Sequence, residues 1–382
     1  MMDAIALLGK LVSFNSVFPE EEAMARFLAG QLDRLGFQVQ MQEFASERYN
    51  VLATRGKGSA PVLLYGHMDT VPPYGYERLR RSPFHMEERD GKLYGLGTYD
   101  MKAGLAAIIK ALEAVPQDRP LKVMFVSDEE ADSAGCHAAV QSGFLDGVAF
   151  ALSTEMSDIS DIDQKARTVA LGRRGRAQYE IDVPGRSAHA ARMDDGISAV
   201  SEASKLAIAI EKMNAALPAH PLLSRGDMFV RKMFSESVSL SLPSQASLTV
   251  DRHLVLPEDA ENTADDMQKR IDKLYDDGVL QEVDGRKASV RLVPRHVPYM
   301  LPYTVSPDNR YVRKLDSAIE KTLKTKAKHN YGLTVADENM IAMQGVPVVT
   351  YGPIGGGEHT SGEWVSRKSY LEMIKVLENF LS

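Results

Sequence analysis

The sequence predicts an α/β protein in which helices flank a mixed, largely parallel sheet, with a smaller α+β domain inserted into it. Helix and strand patterns alternate in the first half of the chain, as they do in such folds. The pattern changes after residues 170–176, where strictly alternating strands begin, and the earlier style returns near residue 294. We therefore expect one domain made of residues 1–173 and 294–382, and an inserted domain made of residues 174–293.

Apolar periodicity defines the elements of the first domain. Ile5, Leu8 and Val12 recur at helical spacing, and a second helix is closed by Gly36, the usual glycine stop. Asp100 opens a third predicted helix. Short apolar runs are typical of strands that are buried on both faces. Such runs occur in the predicted strands at residues 61–67, 121–130, 148–155 and 345–353.

The inserted domain shows a different pattern. Residues 177–185 alternate between apolar and polar side chains, as in an antiparallel strand with one exposed face. A long helix, a second strand, a charged helix and a last strand follow. This order of strand, helix, strand, helix and strand is typical of a small α+β domain.

Composition limits the classes of function. The chain has 382 residues, 44% of them hydrophobic, and a formal net charge of -7, which argues against a nucleic-acid partner. The single cysteine, Cys136, cannot form an internal disulfide. The first residues lack the basic start and long apolar core of a signal peptide, and no run is apolar enough to span a membrane. We expect a cytoplasmic protein.

Ionisable residues follow the predicted buried strands at the edge where open α/β sheets bind ligands. His67 ends the first such strand and Asp69 follows it, Glu129 and Glu130 end the second, and Glu155 ends the third. Acids crowded at the end of a buried strand repel one another unless a cation is present. Each residue, taken alone, could belong to an ordinary polar turn.

Two further residues complete a candidate metal site. Asp100 could cap the helix that follows it, and His359 could be an exposed loop histidine after a glycine-rich run. Together with His67, Glu130 and Glu155 they form a set of ligand types that suits zinc. Three carboxylates and one hydroxide balance the charge of two divalent ions. The sequence therefore predicts a site for two metal ions.

Several strings resemble the motifs of the dinuclear zinc exopeptidases and deacylases, a family that includes acetylornithine deacetylase, succinyl-diaminopimelate desuccinylase and glutamate carboxypeptidase. They occur in family order across nearly the whole chain. The matching strings are YGHMDTVPP (65–73), DGKLYGLGTYDMKAG (90–104), VSDEEADSAG (126–135), LGRRG (171–175), GRSAHAA (185–191) and GGGEHTSGEWV (355–365).

The resemblance implies a role for each candidate metal ligand. His67 and Glu155 would hold one metal ion, and Glu130 and His359 would hold the other. Asp100 would bridge the two ions. The ions would most readily be zinc, with cobalt or manganese as alternatives.

The resemblance also implies roles outside the ligand set. Asp69 would orient His67, and Glu129 would act as the general base for a metal-bridging hydroxide that attacks an amide carbonyl. His189 would reach across a dimer to stabilise the oxyanion in the partner's site. The substrate carboxylate would be gripped by Arg173 and Arg252.

The implied function is hydrolysis of an amide bond in a small N-acyl amino acid or dipeptide that bears a free carboxylate. The inserted domain would act as a dimerisation and lid domain in a homodimer, without a nucleic-acid or membrane partner.

The sequence departs from the family pattern at Leu240, where an asparagine is common, and in residues 334–340. These departures point to a different acyl-side pocket. Two alternatives remain: a non-catalytic relative that uses the same fold for binding, and a single-metal phosphoesterase or nuclease.

Overall fold

The computed structural model describes residues 2–79, 81–156, 166–237 and 239–382. The chain divides into two compact units. Unit 1 comprises Met1–Gly172, Thr304–Gly332 and Ala336–Ser382, and unit 2 comprises Arg173–Tyr303 and Leu333–Val335.

Helices and strands alternate along the described chain. The helices are α1 (Ala4–Val12), α2 (Glu22–Arg34), α3 (Tyr76–Leu79), α4 (Ala103–Leu112), α5 (Ala134–Gln141), α6 (Ala199–Met213), α7 (Ala260–Asp276), α8 (Arg310–Leu323), α9 (Asp337–Met343) and α10 (Arg367–Leu381). The strands are β1 (Gln38–Ala45), β2 (Arg48–Arg55), β3 (Val62–His67), β4 (Glu87–Arg89), β5 (Lys92–Tyr94), β6 (Leu121–Val126), β7 (Phe150–Ser153), β8 (Thr168–Arg173), β9 (Gly175–Pro184), β10 (Ala219–His220), β11 (Ser224–Arg225), β12 (Asp227–Phe234), β13 (Gln245–Leu254), β14 (Ser289–Leu292), β15 (Tyr303–Thr304), β16 (Lys328–Gly332), β17 (Val348–Thr350), β18 (Gly355–Gly356) and β19 (Trp364–Ser366).

The main sheet of unit 1 is mixed, which confirms the predicted fold class. Its described strands run in the order β1-β2-β6-β3-β7-β17-β8-β15, and β16 also pairs with β8. The central pairs β3–β6, β3–β7 and β7–β17 are parallel, whereas β2 joins β6 antiparallel. All residues of β3 are buried, as expected for a strand covered on both faces. The parallel centre brings the carboxyl ends of β3, β6 and β7 to one edge.

Helices pack on this sheet because packing removes their apolar faces from water. The helix α4 is buried along nearly its whole length, and it packs against α1 and α10. The helix α8, which the sequence analysis missed, is strongly amphipathic and buries Val312, Leu315 and Ile319. A second, smaller sheet of unit 1 has the order β18-β19-β5-β4.

Unit 2 has its own sheet and core. The strands β12-β13-β9-β14 form an antiparallel sheet, and β9 alternates between buried and more exposed residues, as the sequence predicted. The helices α6 and α7 pack on this sheet. The core of unit 2 includes Tyr179, Ile181, Leu206, Val250 and Ile271. Each unit therefore buries its own apolar face.

No helix in the described part of the chain is long and apolar enough to cross a lipid bilayer.

The predicted helix start at Asp100 is wrong. The helix α4 begins at Ala103, and Asp100 has an extended backbone with φ -113° and ψ 90°. The amide N–H of Asp100 donates to the Glu363 carboxylate at 3.0 Å instead of entering a helical bond. The Asp100 side chain is therefore not a helix cap, and its carboxylate is available to a site.

Candidate metal centre

His67 lies at the carboxyl end of β3 and has no exposed surface. Its Nδ1 atom is 3.1 Å from the carbonyl oxygen of Asp69 and 3.6 Å from the Asp69 carboxylate. Its Nε2 atom is 3.0 Å from Oδ1 of Asp100 and 3.1 Å from Oε2 of Glu155. If Nδ1–H donates to the Asp69 carbonyl, Nε2 is unprotonated and its lone pair can bind a metal ion. Metal-binding histidines use this arrangement.

A second set of ligand atoms surrounds His359. Its Nε2 atom is 3.1 Å from Oε2 of Glu130 and 3.2 Å from Oδ2 of Asp100. The backbone of His359 is in the left-handed region, with a φ of 58°. The His359 side chain is half exposed, so this set is more open to solvent than the first.

Asp100 joins the two sets. One of its carboxylate oxygens faces His67, and the other faces His359. Within each set, one ligand atom from every residue lies within 4.8 Å of the others. Among the described residues, these are the groups of three or more that combine histidine, cysteine or acidic ligands in this way.

The distances between ligand atoms fit a metal ion. Ligands that lie about 2.0–2.1 Å from a tetrahedral zinc ion are about 3.3 Å from one another. The separations between each imidazole Nε2 atom and its two carboxylate neighbours are 3.0–3.2 Å. Nitrogen and oxygen donors at this spacing are suited to zinc and to related divalent ions.

The charge balance of the site also favours cations. Burial raises the pKa of Glu129 well above its usual range, raises that of Glu130, and raises that of Glu155 to about 7. Hydrogen bonds to Asp100 and Glu130 raise the pKa of His359 to about 11. The ionised forms of these buried carboxylates therefore need a positive charge beside them. That charge is either a proton on an imidazole or a metal ion.

A largely buried charge network, which the sequence did not predict, holds the loop that carries Glu129 and Glu130. Arg48 donates from Nη1 to Oδ1 of Asp128 at 2.7 Å and from Nη2 to Oε1 of Glu21 at 2.6 Å. The second Asp128 oxygen accepts the amide N–H of Ala134 at 2.9 Å. Arg48 and Glu21 lie far from the loop in sequence, and no motif marks them.

Asp69 connects the two ligand sets through this loop. Its Oδ2 atom accepts the amide N–H of Glu130 at 2.9 Å, while its carbonyl oxygen contacts His67. Asp69 is buried. One residue thus orients an imidazole in the first set and the backbone of a carboxylate ligand in the second.

A buried acid from the tail of the chain adds to the negative charge. Asp337, in the string that departs from the family pattern, accepts the Tyr65 hydroxyl at 2.7 Å and is fully buried. Burial raises the pKa of Asp337 to about 7. Its charge in turn raises the pKa of Glu129. No spacing signal in the sequence linked Asp337 to the site.

Glycine permits the close packing behind Glu155. A Cβ atom on Gly104 would lie 2.2 Å from the carbonyl oxygen of Thr154, and one on Gly352 would lie 2.1 Å from that of Glu155. Neither position can therefore hold a side chain without moving the backbone next to Glu155.

The other predicted site residues lie in unit 2. His189 is exposed, and its Nδ1 atom accepts the amide N–H of Ala191 at 3.1 Å. Arg173 is buried, and Arg252, also buried, forms an ion pair with Glu258. Their roles toward substrate and oxyanion stay predictions.

Comparison with curated proteins finds similar enzymes. Residues of this chain are 34% identical over 190 positions to an acetylornithine deacetylase of Photorhabdus laumondii, covering 48% of this chain and 47% of that protein. A succinyl-diaminopimelate desuccinylase of Wolbachia pipientis is 29% identical over 204 positions, covering 50% of each chain. The chain thus spans about half the length of the curated relatives that it matches.

Comparison with solved structures shows the same fold over the whole chain. A tripeptidase of Staphylococcus aureus has a TM-score of 0.79 at 20% identity, covering 99% of this chain and 96% of that one. A dinuclear metal-binding peptidase of Bacillus subtilis has a TM-score of 0.70 at 14% identity, with coverage of 99% and 96%.

The sequence profile of peptidase family M20/M25/M40 matches residues 63–382, which is most of the chain. This match confirms the resemblance inferred from the motifs. The chain belongs to peptidase family M20/M25/M40.

Proposed function

We propose that this chain hydrolyses an amide bond in a small N-acyl amino acid or dipeptide with a free carboxylate, using two divalent metal ions. The observation that carries the proposal is the position of Asp100, whose two oxygens each face the histidine of a different ligand set. A carboxylate shared in this way is what a two-metal site requires.

The proposed ligands divide into two sets around the shared Asp100. His67 and Glu155 would hold one ion, and Glu130 and His359 the other. Zinc suits these nitrogen and oxygen donors, and cobalt or manganese could replace it. When bound, the ions supply Lewis acidity toward the amide carbonyl and lower the pKa of water.

Glu129 is the proposed general base. It precedes the ligand Glu130 in a loop that Arg48 and Asp128 hold in place. Burial disfavours its charged form, which makes its carboxylate a stronger proton acceptor. We propose that Glu129 takes a proton from the attacking water and returns it to the leaving amine, while Asp69 keeps His67 oriented.

Both a deacylase and a carboxypeptidase fit this machinery. The relatives include deacylases and peptidases, and the shared chemistry is cleavage of an amide. Arg173 and Arg252 are the proposed partners of the substrate carboxylate because guanidinium groups bind carboxylates through two hydrogen bonds. The single buried cysteine, Cys136, accords with the proposed cytoplasmic location.

Removal and return of metal tests the proposal. We expect a chelator to abolish hydrolysis of the best substrate, and zinc or cobalt to restore it. N-acetyl amino acids, N-succinyl amino acids and dipeptides, compared by kcat/KM, identify that substrate and separate a deacylase from a peptidase. Cleavage of none of these, or a rate that survives complete loss of metal, would point to a non-catalytic relative or to different chemistry.

A homodimer formed through unit 2 is part of the proposal. The strand β12 lies at one edge of its sheet, and edge strands readily pair with another chain. It exposes Phe229, Met233 and Phe234, and the neighbouring helix α6 exposes Val200 and Ile208. Contiguous patches of exposed apolar side chains mark protein interfaces, and we propose that these residues form such a patch. His189, exposed in the same unit, would then serve the partner's site.

Mixing two inactive variants tests the role of His189. We expect His189→Ala to lower kcat by about 10²–10³-fold, because one oxyanion donor contributes about that much. After subunit exchange with Glu129→Gln protein, half of the dimers would be mixed, and each would hold one complete site. The mixture should regain about a quarter of the wild-type rate per chain.

The control for this experiment is His220→Ala mixed with Glu129→Gln. His220 is the last residue of the short strand β10 in unit 2 and has no assigned catalytic role, so His220→Ala alone should remain active. If the His189→Ala mixture stays inactive although mass spectrometry detects mixed dimers, His189 does not act across the dimer.

A further inference from the structure

The carboxylate of Glu363 accepts three backbone N–H groups from the loop that carries Asp100. Oε2 accepts from Gly97 at 2.7 Å, and Oε1 accepts from Tyr99 at 2.8 Å and from Asp100 at 3.0 Å. Only 2% of Glu363 is exposed. Among these donors is the amide of the residue that is shared by both ligand sets.

This contact matters because Asp100 lies before α4 and has non-helical φ and ψ angles. Its backbone is extended, and α4 starts only at Ala103. Gly97, at the other end of the loop, has a positive φ of 74°. The three N–H groups therefore depend on Glu363, and the direction of the Asp100 side chain depends on the same carboxylate.

Glu363 also lies close in sequence to the other ligand set. It follows His359 by four residues and directly precedes β19, which pairs with β5. The segment 359–363 thus contributes an imidazole at one end and, at the other, the acceptor for the Asp100 loop. One short segment therefore supplies the histidine of the second set and also holds the loop that carries Asp100, the carboxylate shared by both sets.

We propose that Glu363 is a positioning residue that sets the backbone of Asp100 so that one oxygen serves each metal ion, and thereby sets the affinity for both ions. This inference rests on the proposed two-metal function. Groups that orient metal ligands from outside typically change metal affinity about 10–100-fold when they are removed. A purely structural role would lower stability and leave the metal affinity of the folded protein unchanged.

Glu363→Gln tests the inference. An amide has one acceptor oxygen, so its NH2 group would face either the Gly97 amide or the amides of Tyr99 and Asp100. We expect zinc affinity, measured by competition with a chromogenic chelator, to fall about 10–100-fold for both ions. At saturating zinc, kcat should fall while KM stays near that of the wild type.

Two further variants complete the experiment. Glu363→Asp keeps the charge but withdraws the carboxylate by one methylene, and its metal affinity should lie between that of the Glu363→Gln protein and that of the wild type. Glu88→Gln makes the same isosteric change on β4 of the same sheet, where the side chain is 50% exposed and pairs with Arg367. This control should bind zinc like the wild type.

The results separate the two claims. Wild-type protein that binds no tight metal would overturn the proposed function itself. Wild-type protein that binds two ions, together with folded Glu363→Gln protein that binds both as tightly as Glu88→Gln protein, would overturn the role of Glu363. Thermal melting of the metal-free proteins checks folding, and if Glu363→Gln does not fold, the same comparison is made with Glu363→Asp.

Discussion

Glu129→Gln is expected to lower kcat about 10²–10⁴-fold while the protein keeps both metal ions. The amide has nearly the shape of the carboxylate but cannot accept the proton of the attacking water. Glu129 is not in either ligand set, so its loss should not release metal. The measurement combines steady-state kinetics at saturating zinc with the metal content of the same sample.

Asp132→Asn is the matched control for Glu129→Gln. Asp132 lies three residues further along the same loop and is exposed, so this change removes one negative charge without touching the proposed base. Its kcat should remain close to that of the wild type. Glu129→Gln protein with normal metal content and normal kcat would refute the general-base role.

Asp100→Asn is expected to abolish tight binding of both ions and to lower activity more than any other ligand change. One Asp100 oxygen is 3.0 Å from His67 Nε2, and the other is 3.2 Å from His359 Nε2. The change removes the negative charge that both sets share, whereas His359→Ala removes a ligand from one set only. Metal content after dialysis should therefore fall toward zero for Asp100→Asn and toward one ion per chain for His359→Ala.

The comparison between these two variants shows whether the Asp100 carboxylate binds one metal ion or both. Equal metal content in Asp100→Asn and His359→Ala proteins would mean that Asp100 serves only one ion. Circular dichroism of both variants shows whether the loss of metal comes from the missing ligand or from loss of the fold.

Much of the candidate site could be predicted from sequence because parallel strands end at one edge of a sheet. His67 ends β3, and Glu130 and Glu155 follow β6 and β7, so their positions follow from the strand pattern alone. The fold class could be predicted for a related reason, since buried strands and amphipathic helices have different apolar periods. The strands β2 and β12 are not among the strands that the sequence predicted.

Asp100 shows where local pattern fails. An acid before an apolar helical stretch usually caps the helix, and α4 does follow. The chain leaves the helical path at Asp100 because Glu363, distant in sequence, accepts the N–H groups of the loop. A long-range hydrogen bond therefore overrides the local preference, and no window of sequence around Asp100 contains that information.

The charged groups behind the site were unpredictable for the same reason. Arg48 forms ion pairs with Glu21 and Asp128, which lie in separate parts of the chain. Asp337 accepts a hydrogen bond from Tyr65, which is still more distant in sequence. A buried charge needs a partner, because an unpaired one is strongly destabilising, but an isolated arginine or aspartate in a sequence resembles a surface charge. Their partners become visible only when the fold is known.

Anomalous X-ray diffraction at the zinc edge, from crystals of the zinc-loaded protein, tests the central claim most directly. If both ligand sets bind zinc, we expect two peaks in each chain. One should lie between His67, Asp100 and Glu155, and the other between Asp100, Glu130 and His359. The ions should lie about 3.5–4 Å apart, as in other two-metal sites. A single peak, or peaks that do not have Asp100 between them, would contradict the central claim.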